Sequence, residues 1–212
     1  MTAILTTPSN LMVLQGVHWT TYQALIHDLE TESGKRLTYN QGILEIRVPL
    51  PPHERYKSLM GRLVEVTTEE TATEIASLGS TTWSREDLQK GLEADECFYI
   101  QNERAVRGKD AIDLTVDPPP DLAIEVDNTQ SSLNRLEIYA AIGVPEVWRF
   151  DGESMTIYRL VKGQYQSQEA SAVLPLLQCA DILRFLQTSQ NMGETTWVRE
   201  FRQWVRARIT AS

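Results

Sequence analysis

The sequence predicts an α/β domain with a central mixed β-sheet flanked by helices, and three observations carry that expectation. Strand-like and helix-like segments mingle along the chain without strict βαβ alternation, which suits a mixed sheet better than a purely parallel one. The run DLAIEV at 121–126 follows three prolines and reads as a buried strand, with Leu122, Ile124 and Val126 on one face and Asp121, Glu125 and then Asp127 on the other. At 212 residues, 42% hydrophobic and 23% charged, the chain suits one globular domain, read as residues 18–212 after an N-terminal arm at 1–17.

The elements follow in order. Residues 1–17 read as a loosely ordered arm. TTYQALIHDLETESG has a helical stripe of Tyr22, Leu25, Ile26 and Leu29, capped by Thr20 or Thr21 and stopped by Gly34. KRLTYNQGILEIRVPL alternates Leu37/Tyr39 and Leu44/Ile46/Val48 about Asn40-Gln41-Gly42, the pattern of a hairpin. Pro49, Pro51 and Pro52 end it, and HERYKSLMGRLVEVTTEETATE is a long helix with Tyr56, Leu59, Met60, Leu63 and Val66 facing inward. SLGSTTWS reads as a short strand, REDLQKG as a helical turn closed by Gly91, and DECFYI as a strand entering the polar loop QNERAVRGKD. After DLAIEV, Ser131 or Ser132 caps the helix SLNRLEIYAAIG, which Gly143 closes. PEVWRFD is a strand, SMTIYRLVKGQYQSQEA a hairpin turning at Lys162-Gly163, and CADILRFLQT and TTWVREFRQWVRARI are helices. The last carries an apolar stripe, Trp197, Phe201, Trp204 and Val205, for the core or a dimer seam. Arg199, Arg202, Arg206 and Arg208 line its other side, which reads as a solvated face and is also the densest basic patch in the chain.

Composition narrows the chemistry. A net charge of −9 opposes any general polyanion-binding surface, although a local basic rim can coexist with it. The apolar runs fall well short of the ~18 residues of a membrane span, and no basic segment precedes the apolar start, so neither a span nor a signal peptide is expected. Cys97 and Cys179 match no zinc spacing and read as buried thiols of a cytoplasmic, reducing compartment. With only His18, His27 and His53, an imidazole zinc site is not expected, and a metal held by carboxylates would be magnesium or manganese.

The acids at and near DLAIEV are the candidates. On a strand Asp121 and Glu125 are about 13 Å apart and cannot share a cation, which makes Asp121 a strand-start residue bonding nearby backbone. Glu125 and Asp127, about 6.6 Å apart, are close enough to share a site. Asp95 begins the preceding strand, and an adjacent strand can set it beside Glu125. Two carboxylates on neighbouring strands make a hard-cation site that polarises a phosphodiester and activates water. Each also has a structural reading: a buried Glu125–Arg135 ion pair, a turn at Asp127-Asn128, a helix-start role for His53.

An acid on one strand, then an acid-x-lysine triplet on the next, followed by a helix, is the pattern of the restriction-endonuclease-like PD-(D/E)XK superfamily. GLEADECFYIQN, DPPPDLAIEVDNTQSSLNRLEIYAAIGVPEVWRFD and YNQGILEIRVPLPPHERY resemble, within it, the bacterial "putative restriction endonuclease" family over roughly residues 18–190. The resemblance implies a restriction-endonuclease-like core in which Asp95 is the first acid and Glu125 the acid of the triplet. It departs at Ala94, where a proline is usual, and at Asp127, where the lysine is usual. Arg135 is placed to supply that lysine's positive charge but not to act as a base, and Lys109 is a weaker substitute. His53 and Glu54 stand where the superfamily often adds an acid or a coordinating group.

The expectation is a magnesium- or manganese-dependent endonuclease acting on DNA, as a homodimer and away from membranes. In it Asp95, Glu125 and the Val126 carbonyl hold the metal, Asp127 extends the site or orients water, Arg135 steadies the phosphate and His53 assists. Two alternatives stay open: an inactive nuclease-fold module that binds protein or nucleic acid, and a metal-dependent hydrolase of a small phosphoester.

Overall fold

The computed structural model describes residues 10–29, 34–126 and 133–211. Strand β1 (Leu11–Gln15) and helix α1 (Trp19–Leu29) lead into the hairpin of β2 (Arg36–Asn40) and β3 (Ile43–Arg47). The hairpin turns at Gln41 and Gly42, both at positive φ (47° and 94°), as a two-residue turn between right-twisted strands requires. Helix α2 (Pro51–Glu70) follows. Pro51 and Pro52 open this helix, where their missing N–H groups would have had no intrahelical partner.

Next come β4 (Ala76–Ser77), β5 (Thr82–Arg85), β6 (Lys90–Glu93), β7 (Glu96–Tyr99), the short helix α3 (Glu103–Val106) and β8 (Leu122–Val126). Helix α4 (Arg135–Ile142), β9 (Glu146–Phe150), β10 (Met155–Val161), β11 (Gln164–Gln168), α5 (Cys179–Thr188) and α6 (Glu194–Ala211) complete the described chain.

Among the described residues the strands form two sheets, one more than expected. The central mixed sheet has the order β11-β10-β9-β8-β7-β4, with β8 and β9 parallel across α4 and the other pairs antiparallel. The second sheet, β1-β3-β2-β6-β5, is antiparallel throughout. Helices α2, α5 and α6 bury one face of the central sheet, with Leu122, Ile124, Val126, Trp148 and Phe150 in that core. Ala123, Cys97 and Val147 belong to the opposite face, packed with Ile138, Tyr139 and Ile142 of α4 and with Trp83 and Leu92 of the second sheet.

Several expectations need correction. Part of the supposed arm is β1, which pairs along its length with β3. As an edge strand with most side chains exposed, it has no need of the alternation that marks a half-buried strand. REDLQKG is the turn and return strand of the β5–β6 hairpin, because Leu88 alone gives it no apolar stripe to bury as a helix. SLGSTTWS divides between β4 and β5, and the loop after β7 contains α3. The proposed caps Ser131 and Ser132 lie outside the described residues, and Asn134 occupies the N-cap of α4, its side chain accepting from the Glu137 N–H at 3.4 Å. Gly143 closes α4 at φ 92°, donating its N–H to the carbonyls of Tyr139 and Ala140.

The stripe of α6 belongs to the core of the chain itself: Trp197, Phe201 and Val205 are buried beside α2 and α5, with Trp204 packed against them. Three of the four arginines on its basic side are ion-paired, Arg202 with Glu69 and Glu70 of α2, Arg206 with Glu70, and Arg208 with Asp181 of α5. Neither side of α6 therefore argues for a dimer seam or a basic DNA-binding face.

The second sheet positions the site through its two unlike faces. Leu37, Tyr39 and Leu44 pack under α1 against Trp19 and Tyr22. Gly91 permits that approach, since a Cβ there would lie 2.3 Å from the Tyr22 hydroxyl. Arg36, Thr38, Glu45 and Arg47 alternate onto the other face, are themselves buried, and bring charge between the sheets.

Candidate active site

The β7–β8 register pairs Glu96 with Ile124 and Cys97 with Ala123, so Asp95, one residue before β7, stands opposite Glu125. Directly opposed residues share a face, here the one that meets α4 and the second sheet. Asp95 is completely buried and Glu125 is 4% exposed.

Asp95 Oδ2 accepts the Val126 N–H at 2.8 Å and lies 2.9 Å from Nε2 of His53. Its Oδ1 accepts no hydrogen bond, with Arg47 Nη2 3.6 Å away. Burial opposes ionisation of Asp95, but the bonded His53 and the Arg135 and Arg47 cations hold its carboxyl below the usual range.

Glu125 is clamped differently. Arg135 donates from Nε to Oε2 at 2.8 Å and from Nη2 to Oε1 at 2.6 Å, a two-pronged pair. The Tyr139 hydroxyl also donates to Oε1. Arg135 further donates to the Thr38 hydroxyl and, at 2.7 Å, to the Glu93 carbonyl, tying α4 to the second sheet. Burial pushes the Glu125 carboxyl upward, the Arg135 charge opposes that shift, and the Asp95 charge adds to it. Burial and then Glu125 raise the Tyr139 hydroxyl well above its ordinary value.

The structure thus brings Asp95, Glu125, Val126, Arg135 and His53 into one buried network, while Asp127 lies outside the described residues. Asp121 stands apart: Oδ2 accepts from the N–H groups of Ile100 (2.7 Å) and Asn102 (2.9 Å), and Oδ1 from the Asn102 side chain (2.7 Å). Lys109 pairs with Asp117.

Sequence reasoning did not anticipate Thr38, Arg47, Glu93 or Tyr139. Signals were there: Tyr139 follows Arg135 by one helical turn, and the polar alternates of the hairpin, Arg36, Thr38, Glu45 and Arg47, mix opposite charges as a buried face must.

Fold and site together define an α/β protein with paired carboxylates across adjacent strands of a mixed sheet. Residues 19–190 match the Uma2 family, described as "Putative restriction endonuclease", and the chain belongs to that family. No curated protein is significantly similar to it in sequence. Among solved structures it is similar to a "putative nuclease belonging to DUF820" from Anabaena variabilis, at 14% identity and a TM-score of 0.49 over 70% of this chain and 89% of that one. No helix among the described residues is long and apolar enough to cross a membrane.

Proposed function

We propose that the chain is a magnesium- or manganese-dependent endonuclease that hydrolyses DNA phosphodiester bonds at Asp95 and Glu125. The observation that carries this reading is Asp95 Oδ1, a buried carboxylate oxygen without a hydrogen-bond donor, on a residue opposed to Glu125. A buried acceptor without a hydrogen-bond donor is costly, and Arg47, 3.6 Å away, offsets its charge without donating to it, which leaves room for a cation to complete it. The residues present fit a hard cation in chemistry, with Asp95, Glu125 and the Val126 carbonyl as protein ligands and water or substrate oxygens for the rest. Among the described residues no group of three or more His, Cys, Asp or Glu side chains gathers into a closed cage, so the protein share of such a site is small. When bound, the cation would lower the pKa of a water and neutralise charge on the attacked phosphate.

The chain's own groups have separate tasks in this reading. His53 fixes the Asp95 carboxylate from one side while the Val126 N–H fixes it from the strand. Arg135 supplies positive charge beside the scissile phosphate and, through Thr38 and the Glu93 carbonyl, is held rigidly for that purpose. Asp127 extends the site or orients the attacking water. The homodimer stays in this reading on the superfamily resemblance alone, and so does a cytoplasmic location on the cysteine usage.

Purified protein should nick or cleave DNA with Mg²⁺ or Mn²⁺, and EDTA should abolish it. One observation favours a second reading, the inactive binding module: both Glu125 oxygens are already engaged by Arg135 and Tyr139. Failure to cleave single-stranded, duplex or branched DNA, or a small phosphoester such as p-nitrophenyl phosphate, would favour that module. Cleavage of the small ester alone would favour the small-phosphoester hydrolase.

A further inference from the structure

A cleft of about 910 Å³ opens between α1, β5 and the start of α2, with Glu93 and Glu54 in its wall. These two acids connect it to the buried network: Glu54 Oε1 is 3.3 Å from His53 Nδ1, and the Glu93 carbonyl accepts from Arg135. Arg36 forms part of the same wall and is 9% exposed. It reaches the Glu93 carboxylate through Nη1, lies 3.8 Å from Glu54 through Nη2, and its Nε is buried without a hydrogen-bond partner. A guanidinium pairs best when Nε and an Nη act together on two oxygens of one anion. Neither acid engages Nε, so neither holds Arg36 in that two-pronged way, and its contact with Glu54 is a loose one.

The rest of the cleft is suited to a nucleotide. Thr82 and Ser84 alternate along β5, Ser80 lies just before it, and the three hydroxyl residues line the cleft with Gln23, which adds an amide. Ile26, Leu37 and Pro49 give apolar wall. The volume is that of a pocket for one small ligand, and a base stacked and paired in a duplex cannot enter a concavity of this kind without leaving the stack. A net charge of −9 also argues against broad contact with a duplex backbone.

We propose that this cleft takes one unpaired nucleotide of the DNA strand, with Arg36 as the phosphate-binding residue, so that the enzyme prefers single-stranded to duplex DNA. The proposal rests on the nuclease reading for its chemistry, but its test does not need catalysis.

Fluorescence anisotropy in EDTA with a labelled single-stranded deoxyoligonucleotide, and with the same strand annealed to its complement, reads the preference directly. The single strand should bind at least tenfold more tightly. Arg36→Gln should weaken that binding about tenfold and make the slope of log K against log salt shallower by about 0.7, the value for one phosphate contact on a single strand. Because Arg36→Gln disturbs an ion pair, Ser84→Trp, at an exposed position, serves as a second probe: it should block single-strand binding with the circular dichroism spectrum unchanged. Equal or tighter duplex binding, or wild-type single-strand binding by folded Ser84→Trp, would overturn the proposal. If the single strand binds through Arg36 but no metal supports cleavage, the nuclease reading fails and the cleft stands. If single-stranded DNA is bound and cleaved by Arg36→Gln as by the wild type, the cleft assignment fails and the nuclease reading stands.

Discussion

Adjacent strands of the central sheet each bury a carboxylate almost completely, Glu125 on β8 and Glu146 on β9, and surround it in opposite ways. Glu146 meets neutral donors: Trp148 Nε1 at 2.7 Å, the Ser171 hydroxyl at 2.6 Å and the Ala172 N–H at 2.6 Å. It ties the segment after β11 to the sheet. Glu125 sits in a charged network with Arg135, with Asp95 opposite it carrying an oxygen that no donor reaches. Neutral donors arranged around an acid are enough to keep it buried, as Glu146 demonstrates. Burying several charges together costs more than that and calls for a use beyond packing. The same contrast separates Asp121, with its acceptors filled, from Asp95.

This comparison breaks if the two carboxylates respond alike to mutation. Arg135→Ala should have the largest effect, lowering stability by about 3–5 kcal/mol because it leaves a buried charge unpaired, read as a shift in the urea midpoint. Glu125→Gln should abolish cleavage and also destabilise the fold by about 3 kcal/mol, since Arg135 then loses its counter-charge. A Glu125→Leu, Arg135→Met double variant should recover much of that stability in the same titration while remaining inactive. Glu146→Gln should cost a smaller amount, about 1–2 kcal/mol, and leave cleavage by the surviving folded protein unchanged. Asp121→Asn should be milder still, about 1 kcal/mol, because one side-chain oxygen can continue to accept from both backbone N–H groups.

The surface clamp between α2 and α6 sharpens the contrast from its weak end. Arg206 and Arg202 bond Glu70 and lower its carboxyl from 4.5 to about 2. A folded value below the unfolded one means that this contribution is complete above pH 4.5 and lost as the pH falls toward 2. Glu70→Gln should therefore flatten the stability profile in that window, be smallest in effect among these variants, and leave activity at neutral pH unchanged.

Much of the fold was legible because its signals are local. The α1 and α2 stripes, the Gln41-Gly42 and Lys162-Gly163 turns and the run DLAIEV each declare their element within a few residues. The pairing of Asp95 with Glu125 was legible too, since strand parity and neighbourhood place it. What escaped was non-local. That the polar face of the β2–β3 hairpin lies between two sheets depends on how β6 joins β2 and leads through Ala94 and Asp95 to β7, which no short window reveals. For the same reason Thr38 and Arg47 could not be assigned to a site whose acids lie about fifty to ninety residues away in sequence. The basic side of α6 reads in sequence as a solvated face, and what the sequence does not show is that Glu69, Glu70 and Asp181 lie beside its arginines.

The central claim is that Asp95 and Glu125 form a cation site rather than another structural clamp. Isothermal titration of the metal-free protein with Mn²⁺ tests it most directly, with Asp95→Asn and Glu146→Gln as the paired variants and near-ultraviolet circular dichroism to verify folding. The account predicts saturable binding by the wild type and by Glu146→Gln, and none by folded Asp95→Asn. Equal Mn²⁺ binding by wild type and Asp95→Asn, or no binding by the wild type, would contradict it.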